Sequence, residues 1–140
     1  MTATGRALID LEVVREFAFA SVGRVSATNR DAIPTAADFI LRREDIDTVV
    51  VFGVVDDRID GSLRTNSASV DPAQFMEMAF GTDTTGRPFG GGRADKGGFQ
   101  IPLGLLAESN DSAVLIKLAR QAVRKRLTRV VPGLNGDESQ

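Results

Sequence analysis

Half of the glycine in this 140-residue chain falls within 18 positions: Gly81, Gly86, Gly90, Gly91, Gly92, Gly97 and Gly98 are seven of 14. At Gly90 to Gly92 no Cβ blocks positive φ or the close approach of a phosphate, so successive backbone N–H groups can turn inward into an anion-binding concavity. Arg93 and Lys96 follow at once and put charge where the phosphate would sit. A second constellation lies upstream. There a two-residue period sets Ser62 and Arg64 side by side on the polar face of a strand, with Asn66 continuing the row. A hydroxyl and a guanidinium so placed can grip one phosphate together. Both features also have plainer readings, a mobile surface loop whose glycines serve flexibility and a solvated strand face.

A third candidate is the last helical segment, where Lys117, Arg120 and Arg124 form one stripe, with Lys125 and Arg129 beside it and no acidic residue between Ser112 and Val131. A nucleic-acid backbone could read that stripe, although cations toward a helix C-terminus also complement the helix dipole. Arg126 falls within the apolar arc, so either the helix frays there or the guanidinium finds a partner.

Composition narrows the chemistry. The chain has neither Cys nor His, which removes disulfides, thiolate ligands, Cys nucleophiles, the commonest general base and the commonest metal ligand. The acidic residues do not gather into a ligand set: Asp56 and Asp57 occupy a turn, Asp45 and Asp47 flank a strand, and Asp95 stands alone. A two-metal phosphoesterase centre needs several convergent carboxylates, usually with imidazoles. Net charge is -2, against bulk electrostatic coating of nucleic acid. Yet the 17 cations are 14 Arg and 3 Lys, and the Arg fork matches phosphate oxygens bidentately. With 42% apolar and 26% charged residues, no long apolar run and no signal-peptide pattern, we expect a cytoplasmic protein that neither spans a membrane nor is secreted.

The elements that must position these residues follow from patterning. At this length one core is expected, burying roughly two-thirds of the unfolded surface. Leu11, Val13, Val14, Phe17 and Ala18 are spaced for a helix from Asp10, its cap, to about Ala20, and Phe19 to Thr28 then fits a strand. Pro34 opens a second helix that exits at Arg42 to Glu44. Ile46 to Val55 leaves no polar face and belongs in the centre of a sheet. After the Asp56–Arg58 turn, Ile59 to Thr65 alternates cleanly and completes an antiparallel hairpin. Asp71, Pro72 and Gln74 start a helix that Gly81 closes. Thr82 to Gly98 has no hydrophobic period and reads as a long loop. Phe99 to Leu106 resumes a strand in which Pro102 suggests an edge or bulge, and Ser112 to about Val131 forms the last helix. The expected fold is a single α/β (α+β) domain over residues 1–134. It would be a mixed β-sheet of about four to five strands, with the hairpin, flanking helices and the Gly-rich loop before the last strand. Asn135 to Gln140 would be a disordered tail.

The segments GGGRADKGGFQIPLG, Gly90 to Gly104, and DGSLRTNS, Asp60 to Ser67, resemble the C-terminal, DHH-associated domain of the DHH-family (RecJ-like) phosphoesterases. The segment RDAIPTAADFILR, Arg30 to Arg42, resembles archaeal members in particular. The likeness runs from about residue 30 to 108 and more weakly back to residue 10. It implies a domain that binds substrate across a cleft from an N-terminal catalytic domain bearing an Asp-His-His motif and a metal centre, usually manganese. Substrate phosphates, from nucleotides or short oligonucleotides, would then be held by Ser62, Arg64, Gly90, Gly91, Gly92, Arg93 and Lys96. Catalytic residues and metal would lie on the other domain, which is expected to be missing from this chain. One departure stands out: the family usually has His after the glycine triplet and a small residue three positions later, where this chain has Arg93 and Lys96. Arg93 can donate to a phosphate but cannot act as a neutral imidazole.

Two other readings stay open at this stage, a stand-alone nucleotide-sensing or interaction module and a nucleic-acid binder that uses the last helix. Surface left by a missing domain also leaves room for a homodimer.

Overall fold

A computed structural model describes residues 1–134; the expected tail lies outside the described residues. They form α1 (Ala3–Asp10), β1 (Glu12–Val14), β2 (Phe17–Arg24), α2 (Ala32–Ile40), β3 (Thr48–Val55), β4 (Arg58–Thr65), α3 (Pro72–Phe80), β5 (Gly90–Arg93), β6 (Lys96–Pro102) and α4 (Ser112–Leu127). Short 3-10 turns cover Ala27–Asn29 and Gly104–Glu108. The strands make one mixed sheet in the order β1-β2-β3-β4-β6-β5. Only the β2–β3 pair is parallel, and α2 is its crossover. This is the expected α/β (α+β) class with the expected hairpin, but with six strands rather than four or five.

The sheet separates two apolar layers. On one face Ala18, Ala20, Val22, Val49, Val51 and Val55 meet Ala3 and Ala7 of α1 and Ile33, Ala36, Ala37 and Ile40 of α2. On the other, Phe19, Val50, Phe52, Ile59 and Leu63 meet Phe75, Met76 and Phe80 of α3 and Leu115, Val123 and Leu127 of α4. Every residue of β3 is buried, as an unbroken Val-rich run between two helix layers requires. β4 alternates instead, burying Ile59, Gly61, Leu63 and Thr65 and turning Asp60, Ser62 and Arg64 to the α2 side. α3 starts as its residues dictate. The Asp71 carboxylate accepts the Ala73 and Gln74 N–H groups, Pro72 occupies the first turn, and Gly81 ends the helix at φ +65°.

Four expectations need correction. The helix expected from Asp10 to Ala20 is instead the end of α1, the short strand β1 and the start of β2. Arg15, at φ +57°, turns the chain so that Val14 pairs with Phe17, and the apolar residues there alternate across a sheet instead of lining a helix. The stretch from Thr82 to Gly98 is not a loop throughout, because Thr82 bridges Pro88 and Gly90–Arg93 forms β5. Glycines carry no side chain, so this strand leaves no hydrophobic period to read. β6 lies inside the sheet between β4 and β5, and the chain leaves it after Pro102, four residues before Leu106. The last helix ends at Leu127. Among the described residues no helix is long and apolar enough to cross a membrane.

Candidate functional site

The register of β4, β6 and β5 assembles residues that are far apart in the sequence. Antiparallel partners share a face, so Arg64, Lys96 and Arg93 form one row across three strands, and Ser62, Gly98 and Gly91 form the next. The row beyond holds Asp60 and Gln100. A shallow shelf results, with a glycine floor bounded on one side by three cations. A Cβ added at Gly91 would meet nothing within 4 Å, so the space above this floor is open. A cavity of about 290 Å³ adjoins it, lined by Asp60, Gly61, Phe89, Gly98, Phe99 and Gln100.

The cations on this shelf are not equivalent. Arg64 is pinned: its Nε donates to Asp38 Oδ1 of α2 at 3.0 Å and its Nη1 to the Leu63 carbonyl at 3.0 Å. Its side chain is only 14% exposed, so the guanidinium is held at a fixed place with part of its charge already answered. Arg93 and Lys96 are exposed, and among the described residues neither has an ion-pair partner. The Ser62 hydroxyl makes no hydrogen bond among the described residues and is half-buried. The structure thus brings all seven candidate residues onto adjoining strands of one end of the sheet.

The glycine triplet gets there by another route than the expected one. None of Gly90, Gly91 and Gly92 has positive φ, so the run is an extended strand and not an inward-turned nest. Arg93 and Lys96 close the turn through Ala94 and Asp95, and Ala94 takes the positive φ, +52°. The Gln100 N–H donates to the Phe89 carbonyl, which fixes the alternation of the ladder. Gly91 and Arg93 therefore bond to β6, while the N–H and C=O groups of Gly90 and Gly92 point off the free edge. Packing explains two of the glycines. A Cβ at Gly92 would lie 2.7 Å from Pro72 Cβ, and one at Gly90 would lie 2.8 Å from Phe99 Cβ.

Two of the three cations of the α4 stripe, Arg120 and Arg124, are spent within the molecule. Arg120 Nε donates to both Asp10 carboxylate oxygens at 2.9 Å and its guanidinium lies over the Phe19 ring. Arg124 Nη2 donates to Glu12 Oε2 at 2.8 Å and to the Leu134 carbonyl at 3.0 Å. That hydrogen bonding, first among its causes, holds the Glu12 carboxyl below the ordinary carboxylate range. These two side chains tie α4 to the α1–β1 segment and are a poor surface for reading a phosphate backbone. Arg126 does find a partner, donating Nη1 to the Phe80 carbonyl at 3.0 Å at the end of α3.

Sequence reasoning missed Asp38, because an exposed helix residue 26 positions from Arg64 carries no local signal. It also missed a cavity of about 450 Å³ between the β1–β2 turn, the start of β3 and α3. Its walls carry Glu16, Asp47 and Asp71 against Arg15, the wrong balance for an anion.

Comparison with known proteins agrees with this architecture. The chain is 36% identical over 139 residues to an uncharacterized protein of Methanocaldococcus jannaschii, covering 99% of this chain and 27% of that protein. It thus spans about a quarter of the length of the curated relative it matches. An exopolyphosphatase-related protein from Bacteroides fragilis superposes with TM-score 0.52 at 15% identity, over 95% of this chain and 35% of that one. At such identity the superposition shows a shared fold. The model of the DHHA1 domain matches residues 17–125, which include every strand of the shelf, and the chain belongs to that family.

Proposed function

We propose that this chain is the substrate-binding part of a DHH-family phosphoesterase and holds phosphate groups of a nucleotide or short oligonucleotide on the β4–β6–β5 shelf. The observation that carries the reading is the single row of Arg64, Lys96 and Arg93 beside the open glycine floor. Arg93 and Lys96, free of carboxylates, would supply charge-assisted hydrogen bonds to the phosphate oxygens. Ser62 would donate its unused hydroxyl, and the N–H groups of Gly90 and Gly92 would serve oxygens that reach over the sheet edge. Arg64, pinned by Asp38, is a fixed positive charge behind them. Asp60 and Gln100, one row further, offer acceptors to the neutral part of the ligand.

Hydrolysis, with its manganese, falls in this reading to an N-terminal DHH catalytic domain. Among the described residues no three His, Cys, Asp or Glu side chains form a metal-ligating group. Calorimetric titration with a 5′-phosphorylated dinucleotide tests the proposal. Arg93→Ala and Lys96→Ala should each weaken binding by about tenfold, the loss of one charge-assisted hydrogen bond. Unchanged affinity in both variants would remove the shelf from substrate binding.

A further inference from the structure

A second concavity lies away from the shelf, with β3 and β4 standing between β2 and β6. It has a volume of about 320 Å³ and sits between α1, the carboxyl end of β2 and the first turns of α4. Its charged lining is Arg6, Lys117 and Arg120 against the single carboxylate of Asp10. That carboxylate is already used, since its two oxygens accept Arg120 Nε and one also accepts the Ser21 N–H at 2.7 Å. Arg120 and Asp10 therefore cancel, and Arg6 and Lys117 remain.

Neither remaining cation has a carboxylate partner among the described residues. Arg6 makes one long hydrogen bond, Nη1 to the Arg24 carbonyl at 3.3 Å, while its Nε is buried with no partner. A guanidinium left this far short of acceptors raises the energy of the folded state unless an anion answers it. Gly23, at φ +77°, forms part of the rim. A Cβ there would stand 3.5 Å from Arg6 Nη1 and 3.8 Å from Ile116 Cδ1, narrowing the entrance between α1 and α4. The cavity also lies at the carboxyl end of β2, with Ser21, Val22 and Gly23 in its wall.

We infer that this cavity is a second anion site, which takes the phosphate group of a small molecule between Arg6 and Lys117. A tetrahedral oxyanion fits the volume and supplies the acceptors that these two side chains lack. This site shares no lining residue with the cavity beside the shelf.

Residue-resolved NMR titration of the full chain with inorganic phosphate, and separately with glycerol 3-phosphate, tests it. Chloride at matched ionic strength is the reference. Saturable shifts are expected at the amides of Gly23, Arg24 and Ala113, as distinct from those of Gly91 and Gly98. Whichever of the two ligands produces them tells whether the free anion or a phosphate ester is the occupant. Arg6→Met keeps the aliphatic stem, and Lys117→Met alters only an exposed position of α4. Each should weaken binding by roughly tenfold, as expected for one lost charge-assisted hydrogen bond. Absence of saturable shifts with both ligands, shifts matched by chloride, or affinity unaltered in both variants would overturn it.

Discussion

Arg64 and Lys96 stand directly opposite each other on β4 and β6, and both are cations. Like charges in that position oppose strand pairing, and Asp38 relieves only the Arg64 side. A structure that keeps such a pair bears a stability cost for local positive potential. Lys96→Gln should therefore stabilise the fold by about 0.2–1 kcal/mol at low salt, with the gain shrinking as salt screens the repulsion. The same variant should bind a 5′-phosphorylated dinucleotide less tightly. Urea unfolding at two salt concentrations, paired with calorimetry, reads both effects; a variant that loses stability and keeps its affinity would contradict the assignment of Lys96.

The three glycines of β5 should separate by role. Gly92→Ala drives a Cβ to 2.6 Å from the Lys96 carbonyl oxygen and 2.7 Å from Pro72 Cβ, both fixed parts of the fold. We expect it to cost about 1–3 kcal/mol, as overpacking does. Gly91→Ala meets nothing within 4 Å, so its stability should stay within about 0.5 kcal/mol of the parent. Its methyl group would rise from the floor of the shelf and should weaken phosphate binding. Chemical unfolding and titration of the two variants decide whether the triplet serves packing, binding or both.

What could be read in advance tracks how much side-chain pattern each element carries. β3 has an unbroken Val run, β4 has strict alternation, and α3 has Asp71, Pro72 and Gly81 at its ends. Each of these was legible because a buried or capped residue leaves its mark on its neighbours. β5 left no mark, since a strand made of Gly90, Gly91 and Gly92 has no apolar period, and its place in the sheet is set by register with β6. The helix expected after Asp10 failed for a related reason, since one residue in the left-handed region, Arg15, converts a helical spacing into two strands. The candidate residues on β4 and β5 stand out by their types. Asp38 does not, because only the α2–β4 contact gives it a partner.

Arg126 ends up serving a helix other than its own. Its Nη1 donates to the carbonyls of Ala79 and Phe80, which the end of α3 leaves without intrahelical partners, and its charge faces the negative end of that helix. Arg126→Met keeps the packing stem and removes the donors. A loss of about 1–3 kcal/mol is expected, the cost of leaving such groups unpaired, and Arg126→Lys should recover part of it. Thermal unfolding monitored by circular dichroism measures this; an unchanged melting temperature in Arg126→Met would mean that water replaces the guanidinium without penalty.

Acid should loosen the α1–β1 segment through Glu12. Arg124 donates to the Glu12 carboxylate through Nη2 at 2.8 Å and Nε at 3.2 Å, and Arg120 approaches it at 3.5 Å. Hydrogen bonding from Arg124 is the largest cause that lowers this carboxyl from 4.5, with burial opposing it and the charges of Arg124 and Arg120 adding to it. A group with a lower pKa in the folded state is less protonated there than in the unfolded chain between the two values. Its contribution is therefore complete above the unfolded value and disappears as pH falls through the folded one. Glu12→Gln should be less stable than the parent near neutral pH, and its stability should fall less steeply below pH 4.5, the ordinary value of the group. Urea unfolding from neutral pH to about pH 3 tests both points. Parallel curves for the two proteins would show that the bridge to Arg124 gives the folded state no advantage.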